Sequence, residues 1–142
     1  MKKVATIILV IALAYSGVYA IMVISATQFI VGSSFEGITG KELSSVQDQG
    51  YVTTLINVGR YMGVFALTTV ILLFVILFTG FRNTEKWAWW AILIVGVGIW
   101  AYGIITNILE KDTLNTLLHI IGAVIFSVGI LLPVKVFFTK KA

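Results

Sequence analysis

The stretch VTTLINVGRYMGVFALTTVILLFVILFTG, residues 52–80, carries a single charged side chain, Arg60. A bilayer core takes roughly 20 consecutive apolar residues to cross as a helix, so this run can span a membrane alone. Three comparable runs lie at residues 4–31, 87–109 and 114–134. All six acidic side chains fall outside the four runs. Within them, Arg60 and His119 are the only members of the Lys, Arg, His, Asp and Glu set. Strands of a membrane barrel would be shorter and would alternate in polarity, and no such alternation is present. The expected fold is an all-α membrane protein, an antiparallel bundle of four transmembrane helices forming a single domain over residues 1–142.

The rest of the 142-residue chain agrees with that reading. Hydrophobic residues make up 59% and charged residues 11%, against about 45–50% and about 25% in soluble domains. Mean hydropathy is +1.05. The four spans leave no room for a second domain. The start of the chain, Lys2 and Lys3 followed by an apolar run and SGVYA at 16–20, has the form of a secretory leader. The run continues to Val31, however, so it is read as an uncleaved first helix.

Charge segregates by end. Lys2, Lys3, Arg82, Lys86, Lys135, Lys140 and Lys141 share one end with Glu85. Lys41 and Lys111 share the other with Glu36, Glu42, Asp48, Glu110 and Asp112. Short loops rich in Lys and Arg stay cytoplasmic, so both termini are expected inside a cell-membrane, multi-pass topology. The formal charge of +4 follows this topology, and nucleic acid is not an expected partner. Cysteine is absent, which removes thiolate chemistry and cysteine metal sites. A metal site needs three or four ligands, and one His with no acid in the spans supplies too few. No metal or other cofactor is expected.

The 32–51 segment is the one sizeable connection. Gly32, Gly37, Gly40 and Gly50 read as breakers, and residues 41–49 as a short surface helix with Thr39 and Glu42 forming a capping box. The connections 81–86 and 110–113 are tight. Helices two, three and four are therefore expected to pack consecutively, with the first helix more loosely tethered. Small residues mark packing seams of the kind that let helices approach in lipid. They are Ala12, Ser16 and Ala20 in helix one, and Gly59 and Gly63 in helix two. Helix three has Gly96 and Gly103, and helix four Gly122 and Gly129.

Arg60 and His119 carry the functional expectation, because intramembrane ionisable residues are functional candidates by default. With Asn57, Asn107 and Asn115 they are expected to form a polar pocket near the outer surface, binding a ligand or partner. The competing readings stay open: Arg60 as a snorkelling side chain, His119 as an interhelical hydrogen-bond link. Trp87, Trp89 and Trp90 are read as an interfacial belt. Tyr15 and Tyr19, one turn apart, point into protein because buried hydroxyls find partners. Pro133 stops or bends helix four, and Lys135, Phe137, Phe138, Lys140 and Lys141 form an interfacial anchor.

The hairpin GFRNTEKWAWW at 80–90 resembles a pattern in small, uncharacterised four-helix membrane proteins of bacteria and archaea, a resemblance that implies no activity. The four-span length is similar to that of small multidrug transporters, but their essential glutamate in the first helix has no counterpart here. The chain offers no nucleophile–base pair, so an enzyme is not expected. The leading expectation is a non-catalytic accessory subunit packing against other integral membrane subunits in a larger assembly, a membrane enzyme or respiratory-type complex. The alternative is a stand-alone small transporter or channel for an anion or neutral solute, using the Arg60 and His119 region.

Overall fold

The computed structural model of the protein describes residues 1–139. Lys140 and Lys141, counted above with the basic tail, lie outside the described residues. Helix α1 covers Lys2–Ser25, α2 Thr27–Thr39, α3 Gln49–Ile76, α4 Lys86–Leu109, α5 Thr113–Leu131 and α6 Val134–Phe138. No strand occurs among the described residues. Four helices are long and apolar enough to cross a membrane: Lys2–Ser25, Gln49–Phe81, Lys86–Leu109 and Asn115–Phe138. In hydrocarbon every backbone polar group must be paired within the chain, and helices do this locally.

The first helical segment runs further than expected. At Ala26 the backbone leaves the helical region (φ −113°, ψ 30°), yet the Ala26 carbonyl accepts from Phe29 and Ile30 and the helix restarts. It ends only at Gly40, whose left-handed φ of 69° places its N–H on the Glu36 carbonyl. Glycine makes that conformation free of steric cost. Gly37, read as a breaker, is instead a contact: a β-carbon there would collide with the Glu110 carbonyl oxygen. The expected 32–51 loop shortens to residues 40–48. The capping box does not form. Thr39 Oγ1 donates to the Phe35 carbonyl at the end of α2, and Leu43–Ser45 make a single 3₁₀ turn. Asp48 caps α3, its Oδ1 accepting from the Tyr51 N–H.

At its far end α3 widens into one π turn, Leu77–Phe81, with the Arg82 N–H on the Leu77 carbonyl. The reversal 82–85 passes through Thr84 at φ 66°, an unusual conformation for a β-branched residue. The Lys2 ammonium donates to the Arg82 carbonyl (2.9 Å) and to Thr84 Oγ1 (3.0 Å). This places the chain start beside the basic hairpin, and Phe81 against Phe137 (ring centroids 4.8 Å) brings α6 to the same end. Gly37 against Glu110 closes the other end, where the acids collect. These are the basic and acidic ends below.

Helix α1 is central, packed along both α3 and α5, while α4 packs along α5. Consecutive packing of helices two, three and four around a loose first helix is therefore not the arrangement. The glycines decide it. Gly63 faces Ile24 and Val23 of α1, Gly59 faces Thr27 and Val31 of α2, and Gly129 faces Leu9 and Ile8. Large side chains of the α4–α5 pair fill their partner's glycine gaps: Phe126 on Gly96, Trp100 on Gly122 and His119 on Gly103. Ala12 and Ala20 are buried on α1, and Ser16 is half-buried with its hydroxyl on the Ala12 carbonyl. A tight hairpin brings two helix ends together, but only surface complementarity keeps them together along their length.

The buried core lies toward the basic end, around Leu9, Leu13, Leu73, Leu77, Ile92 and Ile130. Of the three tryptophans read as a belt, Trp87 and Trp90 are about half exposed, but Trp89 is only 5% exposed. Its indole N–H donates to the Ile130 carbonyl at 2.9 Å. Helix α5 ends at Leu131 before the buried Pro133, so that carbonyl needs a donor from outside its own helix. Trp89 supplies it.

Candidate functional site

Toward the acidic end α3 and α4 diverge, leaving a cavity of about 640 Å³ between them. Its floor is built by α1 and the α4–α5 pair, and α2 forms a wall from Thr27 to Thr39. Gly103 has no side chain, and the His119 imidazole lies in the space a β-carbon would take. One turn along α4, Asn107 is 8% exposed and places its Nδ2 2.9 Å from His119 Nδ1. The Asn115 carbonyl, one turn before His119 on α5, is also 2.9 Å from Nδ1. Nδ1 thus faces the Asn107 amide, a donor, and the Asn115 carbonyl, an acceptor, and the two contacts suit opposite tautomers of the ring. Tyr19 and Trp100 meet the imidazole edge-on, at centroid distances of 5.5 and 5.9 Å.

Three polar atoms on this floor remain uncommitted. The Tyr19 hydroxyl, Asn107 Oδ1 and His119 Nε2 make no hydrogen bond among the described residues. None of them is a sealed, unpaired atom of the kind that would mark a packing fault. All three residues line the cavity. Thr27 and Thr106 also line it, but their hydroxyls are satisfied by carbonyls of their own helices. Met62 and Ala66 of α3, and Ile99 and Tyr102 of α4, both line the cavity and are exposed, as are Ile38, Thr39 and Tyr51 at its acid end, so it opens laterally and toward that end. Glu110 is the one charged side chain in the lining.

Of the five residues expected to share a pocket, Asn107, Asn115 and His119 come together, Asn115 through its carbonyl. Its side-chain amide turns the other way, to Asp112 Oδ2 at 2.6 Å, within the cap of α5. Arg60 and Asn57 do not join them. Gly59 and Gly63 press α3 onto α1 and α2, and a helix turns about 100° per residue. Arg60 therefore points away from the seam, exposed, about 16 Å along α3 from Gln49. Tyr19 belongs to the cavity floor and was legible only as an inward-facing hydroxyl.

The outer face of α3 forms a second feature. Thr53, Asn57, Arg60, Tyr61 and Thr68 of α3, and Thr79 of the π turn that follows, are all exposed and recur on one side of the helix. The three threonine hydroxyls return to their own helix, on the carbonyls of Gln49, Val64 and Val75. Asn57 and Arg60 make no side-chain hydrogen bond or ion pair among the described residues.

Among the described residues no three His, Cys, Asp or Glu side chains come together as metal ligands. The chain matches no family model, no curated protein and no solved structure.

Proposed function

We propose that the chain is a non-catalytic component of a larger integral-membrane assembly, bound to a partner through the outer face of α3. The observation that carries this reading is the polar stripe from Thr53 to Thr79, with Arg60 exposed and unpaired within it. In lipid, polar side chains on a helix surface act as interhelical glue. A second copy docking through the same face would set Arg60 against Arg60, because a two-fold interface is self-complementary. The favoured occupant is therefore a transmembrane helix of a different protein, with a carboxylate opposite Arg60 and small residues opposite the threonines. The lysine-rich end, holding Lys2 and α6, faces the cytoplasm in this reading.

Mild-detergent purification at native expression tests it. The expected result is a hetero-complex that Arg60→Leu dissociates, with the isolated chain melting as before. Recovery only as a monomer or homo-oligomer sinks the reading. A stand-alone transporter has one observation in its favour, the cavity at His119. Since Arg60 does not line that cavity, its solute would be neutral. Liposome flux of such a solute that is unchanged in His119→Ala removes the transporter reading.

A further inference from the structure

The acid-end cavity stands on a different face from the α3 stripe, and its chemistry can be read without reference to any assembly. Its depth comes from α1. Tyr19 lies 16 residues beyond Lys3 on one unbroken helix, or about 24 Å at 1.5 Å per residue. In a hydrocarbon core of about 30 Å, the polar floor sits some 6 Å below the acid-end surface of that core. On the same measure the α2 wall lies beyond the core, so the cavity runs from the headgroup layer down to its floor and opens toward acyl chains between Met62 and Ala66 on one side and Ile99 and Tyr102 on the other. The volume, about 640 Å³, lies within the roughly 300–1,000 Å³ of small-molecule sites. A ligand entering here arrives from the bilayer.

The floor selects its head group. The Tyr19 O–H is a donor without an acceptor among the described residues, and the Asn107 amide and the His119 imidazole beside it keep this floor polar. The lining holds no Lys or Arg, and Glu110 supplies its single charge, a negative one. An anionic head would find no counter-ion there and would meet that carboxylate. We infer that the cavity binds a neutral amphiphile from the bilayer, its carbonyl head accepting from Tyr19, its chain leaving between α3 and α4.

The test uses the whole chain in phosphatidylcholine nanodiscs with tritiated decyl-ubiquinone as the carbonyl probe. Saturable retention approaching one probe per chain is expected. Ala66→Trp, a change at an exposed position on the opening, weakens it at least 10-fold. Tyr19→Phe weakens it about 3- to 10-fold, the size of one hydrogen bond of about 1 kcal/mol. Ile94→Trp, exposed on α4 outside the lining, leaves it unchanged, and excess decyl sulfate does not displace the probe. Absence of saturable retention overturns the site. So does retention unchanged in Ala66→Trp, while displacement by decyl sulfate overturns the neutral head. Helix content measured on each variant separates loss of the site from loss of the fold. Because no partner is present, failure here leaves the assembly reading standing, and the converse holds.

Discussion

The two halves of this bundle are made from the same four apolar helices, yet they solve packing differently. Near the basic end the space between helices is filled by large side chains, with Phe81 on Phe137 and Trp89 tied to the Ile130 carbonyl. Near the acidic end, α3 and α4 part, and α4 meets α5 through an imidazole on a glycine rather than through bulk. The lesson is that hydropathy alone does not hold a membrane bundle together. Lipid solvates Leu as well as protein does, so helices stay in contact where shapes interlock and separate where they do not. The closed half has the character of a scaffold, and the open half of a site.

The sharpest challenge to this contrast is Gly96→Val. The Phe126 ring occupies the space of the new side chain, so the α4–α5 pair is expected to lose about 3 kcal/mol, the upper end of overpacking costs, in detergent unfolding. Trp89→Phe comes next. It leaves the buried Ile130 carbonyl without a donor and should cost about 2 kcal/mol, whereas Trp90→Phe, at an exposed position, should fall within about 0.5 kcal/mol. Equal effects would mean that all three tryptophans serve as the interfacial belt their spacing suggests. In the open half, Asn107→Leu removes one hydrogen bond beside a cavity and should cost only about 1 kcal/mol. A loss as large as that at Gly96 would erase the distinction between the halves. The smallest effect belongs to Arg60→Leu, within about 0.5 kcal/mol for the isolated chain, since Arg60 is exposed and makes no side-chain hydrogen bond or ion pair among the described residues.

Much of the architecture was readable from residue types. The four spans, the helical class and the small-residue contact points follow from apolar run length and from glycine in lipid. Three things resisted, each for a stated cause. Gly32, Ser33, Ser34 and Gly37 look like a loop in composition, but α2 keeps its helix through them and Gly37 serves a close approach to Glu110. The central place of α1 depends on which glycine meets which neighbour, which is pairwise information that no single helix displays. The separation of Arg60 from His119 was within reach. Once Gly59 and Gly63 are taken as an inward seam, the residue after Gly59 must point elsewhere. Tyr19 lacked a signal of its own, because its role depends on Gly103 making room for His119 on a different helix.

The central position of α1 bears on how the protein is made. It is synthesised before the other helices, so α3 meets a ready partner, its Gly59 and Gly63 closing onto side chains already in the bilayer. Helix α4 arrives to a different situation. Its glycines at 96 and 103 are shaped for Phe126 and His119, which have not yet been translated, so it must wait in lipid with an unfilled groove. A chain that stops before α5 is thus expected to leave the glycine gaps of α4 at 96 and 103 without the side chains that fill them.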